Sequence, residues 1–162
     1  MAINFTLEEY SAASTVDQAV TTIKYGSSDS ATAGAAITAG NRSFVKNHKC
    51  KFANGTGDPA ATISALTISR TDSVPLDGSA TIRLGVDGNF ATRDANELSV
   101  TGGTADFTSS TTAVSITAPS GQIAGGNNAS SSDFVKTQIV TTASSTAGAS
   151  GITYTFQYTV TS

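Results

Sequence analysis

A chain of 162 residues with 13% charged residues, no Trp and a formal net charge of −3 is long enough to bury a core within one domain. It lacks the basic face that neutralising nucleic-acid phosphates requires, and its single Cys, Cys50, excludes an intrachain disulfide. The start Met1-Ala2-Ile3-Asn4-Phe5 has neither a basic nor an apolar leader region, and no apolar run approaches a membrane-spanning helix, so neither an export signal nor a membrane partner is expected.

Taken in order, residues 1–18 read as an extended N-terminal arm or a first strand, because Ile3, Phe5 and Leu7 alternate with polar residues. Such an apolar arm either pairs with its own sheet or reaches a neighbour. Residues 19–162 read as a single domain. Residues 19–25 form a predicted strand with Thr21, Ile23 and Tyr25 on one face, and 26–42 form a loop of small polar residues. The segment 43–52 predicts a long strand whose one parity holds Phe44, Lys46, His48, Cys50 and Phe52, apolar at its ends and polar in the middle. The turn Asn54-Gly55-Thr56-Gly57-Asp58-Pro59 leads to a partner strand over 61–69. Its apolar parity changes between Ile63 and Leu66, which suits a β-bulge near Ser64-Ala65.

Ala80, Ile82, Leu84 and Val86 alternate through a clear strand, and shorter strands are predicted at 97–101 and 113–118. Residues 124–132 read as a loop. The strand 133–142 then joins the C-terminal run 151–161, most simply as a hairpin. In that last run Ile152, Tyr154, Phe156, Tyr158 and Val160 share one parity, and Thr153, Thr155, Gln157, Thr159 and Thr161 the other. This strict period of two marks a half-buried strand. About eight alternating strands without an amphipathic helix predict an all-β fold, an antiparallel two-sheet β-sandwich of jelly-roll or Ig-like type.

Catalytic chemistry is scarce. His48 is the only His, and no Gly-x-Ser-x-Gly elbow accompanies it. Cys50 shares its face, but i and i+2 on a strand lie some 6–7 Å apart, too far for a hydrogen-bonded Cys–His pair. One Cys and one His do not make a zinc site, and Asp87-Gly88-Asn89 reads as a plain turn. No cofactor, metal or catalytic residue is expected. Arg42, Lys46, His48, Lys49 and Lys51 form the one basic cluster. It reads as a solvated edge strand guarded by lysines, or as a docking stripe for an acidic partner.

Two blocks carry a resemblance. Gly40-Asn41-Arg42-Ser43-Phe44-Val45-Lys46-Asn47-His48-Lys49-Cys50-Lys51-Phe52 with Ile63-Ser64-Ala65-Leu66-Thr67-Ile68 is one. Asp133-Phe134-Val135-Lys136-Thr137-Gln138-Ile139-Val140 with Tyr154-Thr155-Phe156-Gln157-Tyr158 is the other. Together they resemble small virion proteins of tailed bacteriophages. The ending Thr159-Val160-Thr161-Ser162 departs from the acidic finish of that pattern, and the usual aromatic after Lys46 is missing.

The resemblance implies a non-enzymatic capsid decoration (cement) protein, made in the host cytoplasm and carried on the virion surface. Its partners would be the major capsid protein of a phage head and further copies of itself, often as a trimer. Ile3, Phe5 and Leu7 of the arm and Arg42, Lys46, His48, Lys49 and Lys51 of the basic cluster are then the candidate contact residues. A tail, neck or baseplate component and a glycan-binding adhesin-like sandwich are the alternatives.

Overall fold

The computed structural model describes residues 3–29, 35–74, 76–146 and 151–162. These residues contain nine strands and no helix: β1 (Ile3–Ala12), β2 (Thr15–Val20), β3 (Lys46–Asn54), β4 (Thr62–Val74), β5 (Ala80–Asp87), β6 (Val114–Ser115), β7 (Asn128–Ser130), β8 (Phe134–Thr141) and β9 (Gly151–Thr161). They form two antiparallel sheets. The wide sheet runs β2-β1-β3-β8-β5, with β7 also on β3, and the narrow sheet runs β6-β4-β9. The chain is therefore an all-β, two-sheet antiparallel sandwich.

The alternating segments become strands because each has one face to bury. Cys50 and Phe52 of β3, Ile63, Leu66 and Ile68 of β4, Ile82, Leu84 and Val86 of β5 and Val135 of β8 meet between the sheets. The bulge expected in β4 is present. Register with β9 shifts between Ser64 and Thr67, and Ala65 takes a positive φ of 49°. The extra residue lets Ile63, Leu66 and Ile68 all face inward despite their change of parity. On β9 the alternation is as read: residues 152, 154, 156, 158 and 160 are half-buried against the core and 153, 155, 157, 159 and 161 are exposed.

Strand partners differ from expectation in two places. β8 and β9 are not a hairpin. β8 lies between β3 and β5 in the wide sheet, whereas β9 pairs with β4 in the narrow one. Likewise β4 does not return beside β3. The turn after β3 swings the chain into the other layer, and Asn54 fastens it by donating from Nδ2 to the carbonyls of Pro59 (2.8 Å) and Ile123 (2.9 Å). β8 is buried over Phe134–Gln138 and β4 buries Ile63, Leu66, Ile68 and Arg70, and each pairs with a strand distant in sequence rather than with its neighbour. Among the described residues the β1–β2 hairpin is the only pairing between strands consecutive in the chain.

Three local readings also change. The strand expected over 19–25 ends at Val20, and Tyr25 leaves the sheet to point its hydroxyl between the layers. Residues 128–130, read as loop, form β7 against β3. The strand expected at 97–101 is an irregular strap over the outer edge of β5. Val86 N–H donates to Thr101 O, Leu84 exchanges backbone bonds with Thr104, and Phe107 N–H donates to Ile82 O at 2.8 Å. A Cβ on Gly103 would stand 1.9 Å from the Leu84 carbonyl oxygen, so only glycine allows this approach.

Phe52 is fully buried and packs against Phe5 and Tyr158, with ring centroids 5.6 and 4.9 Å away. Phe156 is only half-buried. Phe52→Ala should cost about 3–5 kcal/mol and Phe156→Ala about half that. Urea unfolding of the two variants checks the order, and a larger loss at Phe156 would contradict this packing.

Candidate functional site

β3 holds most of the predicted contact residues. It is an interior strand: β1 pairs one edge from Ile3↔Asn54 to Tyr10↔Asn47, and β8 and β7 share the other. The lysines are therefore not guards on an edge. Strand alternation divides them between two faces. Lys46 and His48 point into the sandwich with Cys50 and Phe52, and Lys49 and Lys51 point out.

The inward pair makes a buried charged seam. Lys46 Nζ donates to Glu9 Oε1 at 2.9 Å, with both side chains at most 1% exposed. Arg93, from the segment after β5, reaches the same Glu9 oxygen at 3.4 Å, Asp17 at 3.4 Å and Asp29 at 2.6 Å. Two cations thus converge on one buried carboxylate. His48 lies beside them, fully buried, and neither ring nitrogen has a hydrogen-bond partner of good geometry. Burial lowers its pKa to about 3 and the Lys46 ammonium adds to the effect, while the Val135 backbone opposes it only in part. The imidazole is neutral at physiological pH. Cys50 is equally enclosed, and burial pushes its thiol up to about 12.

Deeper between the sheets, Tyr25 joins the layers. As a whole it is half-exposed, but its hydroxyl is enclosed, donating to Thr137 Oγ1 of β8 at 2.8 Å and lying 2.8 Å from the Tyr154 hydroxyl of β9. Burial raises both phenols, Tyr25 to about 12. Arg70 of β4 is buried with its guanidinium on Asp72, Nε to Oδ1 at 2.6 Å, and on the Phe107 carbonyl.

The outward residues are engaged as well. Lys49 Nζ sits 4.4 Å above the Phe134 ring, a cation–π contact, and Lys51 bonds Glu8 at 2.8 Å. Arg42, outside the strand, bonds the exposed Glu97 at 3.0 Å. Ile3, Phe5 and Leu7 belong to β1, where Phe5 and Leu7 pack into the core rather than trailing as an arm. Of the eight candidates, Ile3, Phe5, Arg42, Lys49 and Lys51 keep some accessible surface, and Leu7 is buried. Lys46 and His48 present none, because both are enclosed on the inward face.

Sequence reasoning missed Glu9, Arg93, Arg70, Tyr25 and Thr137. Glu9 was open to detection, since it continues the parity of Ile3, Phe5 and Leu7 and so falls on an inward face. Arg93 lies outside any strand and carries no period.

One open groove, of about 710 Å³, runs between β1, the 19–25 segment and β9. Phe5, Leu7, Val20, Ile23, Tyr154 and Phe156 line much of it, and none of the described residues that line it is charged. Neither His48 nor Cys50 reaches it. No protein-family model, curated protein or solved structure matches the chain.

Two outcomes follow from the sealed strand. In the unfolded chain His48 takes its proton near pH 6.5, and in the folded protein only near 3, so the unfolded state binds more protons between those values. Stability should therefore fall by about 1.4 kcal/mol for each pH unit from about 6.5 down to about 4.5, and stay level just above that window. Urea midpoints measured across it should lose this slope in His48→Leu, and an unchanged slope would assign the effect elsewhere. Cys50 should resist a thiol reagent at pH 8 in the native protein and react fully once urea unfolds the chain.

Proposed function

We propose that this protein is a non-enzymatic structural component of a tailed-phage virion, a decoration protein that binds the outer surface of the head and stabilises it. The observation that carries the reading is where the resembling blocks lie. They fall on β3, β4, β8 and β9, strands that build both sheets, so the likeness extends through the framework of the domain. The fate of the reactive groups agrees with a passive role. His48 and Cys50, the side chains best suited to acid–base or nucleophilic work, are enclosed in the core. What β9 offers outward is Thr153, Thr155, Gln157, Thr159 and Thr161, beside Ser64 and Thr71 of β4. A flat, uncharged, hydroxyl-bearing face docks through shape and hydrogen bonds, and it needs no titrating group.

Purified protein should bind saturably to empty, expanded heads built from the major capsid protein of the same phage, co-sedimenting at a fixed ratio to the capsomers. It should also raise the temperature at which those heads rupture. Absence of saturable binding to expanded heads would refute the assignment.

A further inference from the structure

Each edge of a β-sheet exposes backbone N–H and C=O groups that pair with another strand unless something blocks them. Among the described strands the two sheets have four outer edges, and three are covered, short or irregular. β2 is six residues long, carries Asp17 and meets β1 through two register shifts. β5 lies under the 101–107 strap. β6 is two residues long.

β9 differs on every count. It runs eleven residues, Gly151–Thr161, without a charge or a proline. Its two register irregularities place their extra residues on β4, so β9 itself stays regular. Among the described residues only β4 pairs with it, and no further backbone bond reaches its outer edge. The groove of about 710 Å³ borders this edge, floored by Phe5, Leu7 and Val20 of the facing sheet. The five inward side chains of β9 are each only half-buried, as expected of a strand whose lateral neighbour is missing.

We propose that the outer edge of β9 pairs antiparallel with β9 of a second copy about a twofold axis, joining two narrow sheets into one of six strands. The strand is complementary to itself. With the axis at Phe156, Ile152 stands opposite Val160 of the second copy and Tyr154 opposite Tyr158 on the inner face. Thr153 stands opposite Thr159, and Thr155 opposite Gln157, on the outer face. Apolar residues meet apolar ones and hydroxyls meet polar groups, as stable cross-strand pairs require. The second copy's inner side chains then lie over the groove floor. An acidic or basic segment from another protein finds no charge to match among the described residues of the groove lining. A twofold pair makes dimers, in contrast to the trimers that the family resemblance implies.

Sedimentation of the full chain at micromolar concentrations gives the mass. Thr155→Lys combined with Gln157→Lys sets like charges opposite one another at exposed positions. It should weaken the dimer about tenfold or more while leaving the circular dichroism spectrum intact. A second variant reads proximity independently of that disruption. Gln157→Cys should be joined to its copy by a short bismaleimide, whereas Ser120→Cys, in an exposed turn, should not. Cys50 is enclosed and does not compete for the reagent. A monomer at all concentrations, a trimer mass, a dimer indifferent to the two lysines, or cross-linking at 120 but not at 157 would each overturn the proposal. So would a monomer whose groove takes an extended segment of another protein.

Discussion

β3 is hydrogen-bonded to β1 through eight consecutive residue pairs on one edge and to β8 and β7 on the other, and this two-sided pairing governs the rest of the molecule. β3 points alternate side chains to two faces, and the inward one is covered by the other sheet. Its inward face must then bury Lys46 and His48 along with Cys50 and Phe52. An isolated buried ammonium is prohibitively unfavourable, so a counter-charge has to come from an adjacent strand. β1 supplies it. Glu9 stands opposite His48 in register and reaches Lys46, two residues further along β3 on the same face.

That pairing ties the register of β1 to β3. A slip of one residue turns every side chain of β1 to the other face. Glu9 would leave the interior, Glu8 would enter it at a different height, and Lys46 would be stranded. Burying an ion pair adds little net stability over an apolar pair of the same volume, but breaking one costs about 3–5 kcal/mol. The seam therefore acts less by strengthening the native state than by penalising its slipped neighbours. Arg93 extends the same logic to the segment after β5, because its contacts to Glu9, Asp17 and Asp29 hold that segment against the end of the sheet.

The sequence was most legible where burial is one-sided. The parity of β9, the alternation of β5 and the β4 bulge at Ser64-Ala65 follow directly from side chains that must face one core. Strand partners were not legible, since period two records which face is buried and not which strand lies alongside. The β8–β9 hairpin failed for that reason. The basic cluster failed for another. Its parity was read correctly, with Lys46 and His48 on the face of Cys50 and Phe52, but charge alone suggested solvent. Only the packing of the narrow sheet against it makes that face an interior. The 97–107 strap has no period, because its backbone bonds the edge of β5 at scattered points and its glycines approach where no side chain fits.

The two layers are unequal, and this shapes the surface that remains. Five strands lie side by side in the wide sheet against three in the narrow one. Irregular chain supplies cover beyond the strands. Asn47 exchanges two 2.9 Å bonds with the backbone of Ala91, and Gln138 accepts from Leu98 N–H while donating to Ser43 O and Asn96 O. These side chains bind loop backbone as a neighbouring strand would, so the loop is held without being a strand. At the β1–β2 end no such substitute is present among the described residues. Phe5, Val20 and Ile23 stay half-buried there, and the narrow sheet stops at β9. The groove is where the wide sheet continues past the last strand of the narrow one, and its uncharged lining follows from its being the unfinished margin of the core.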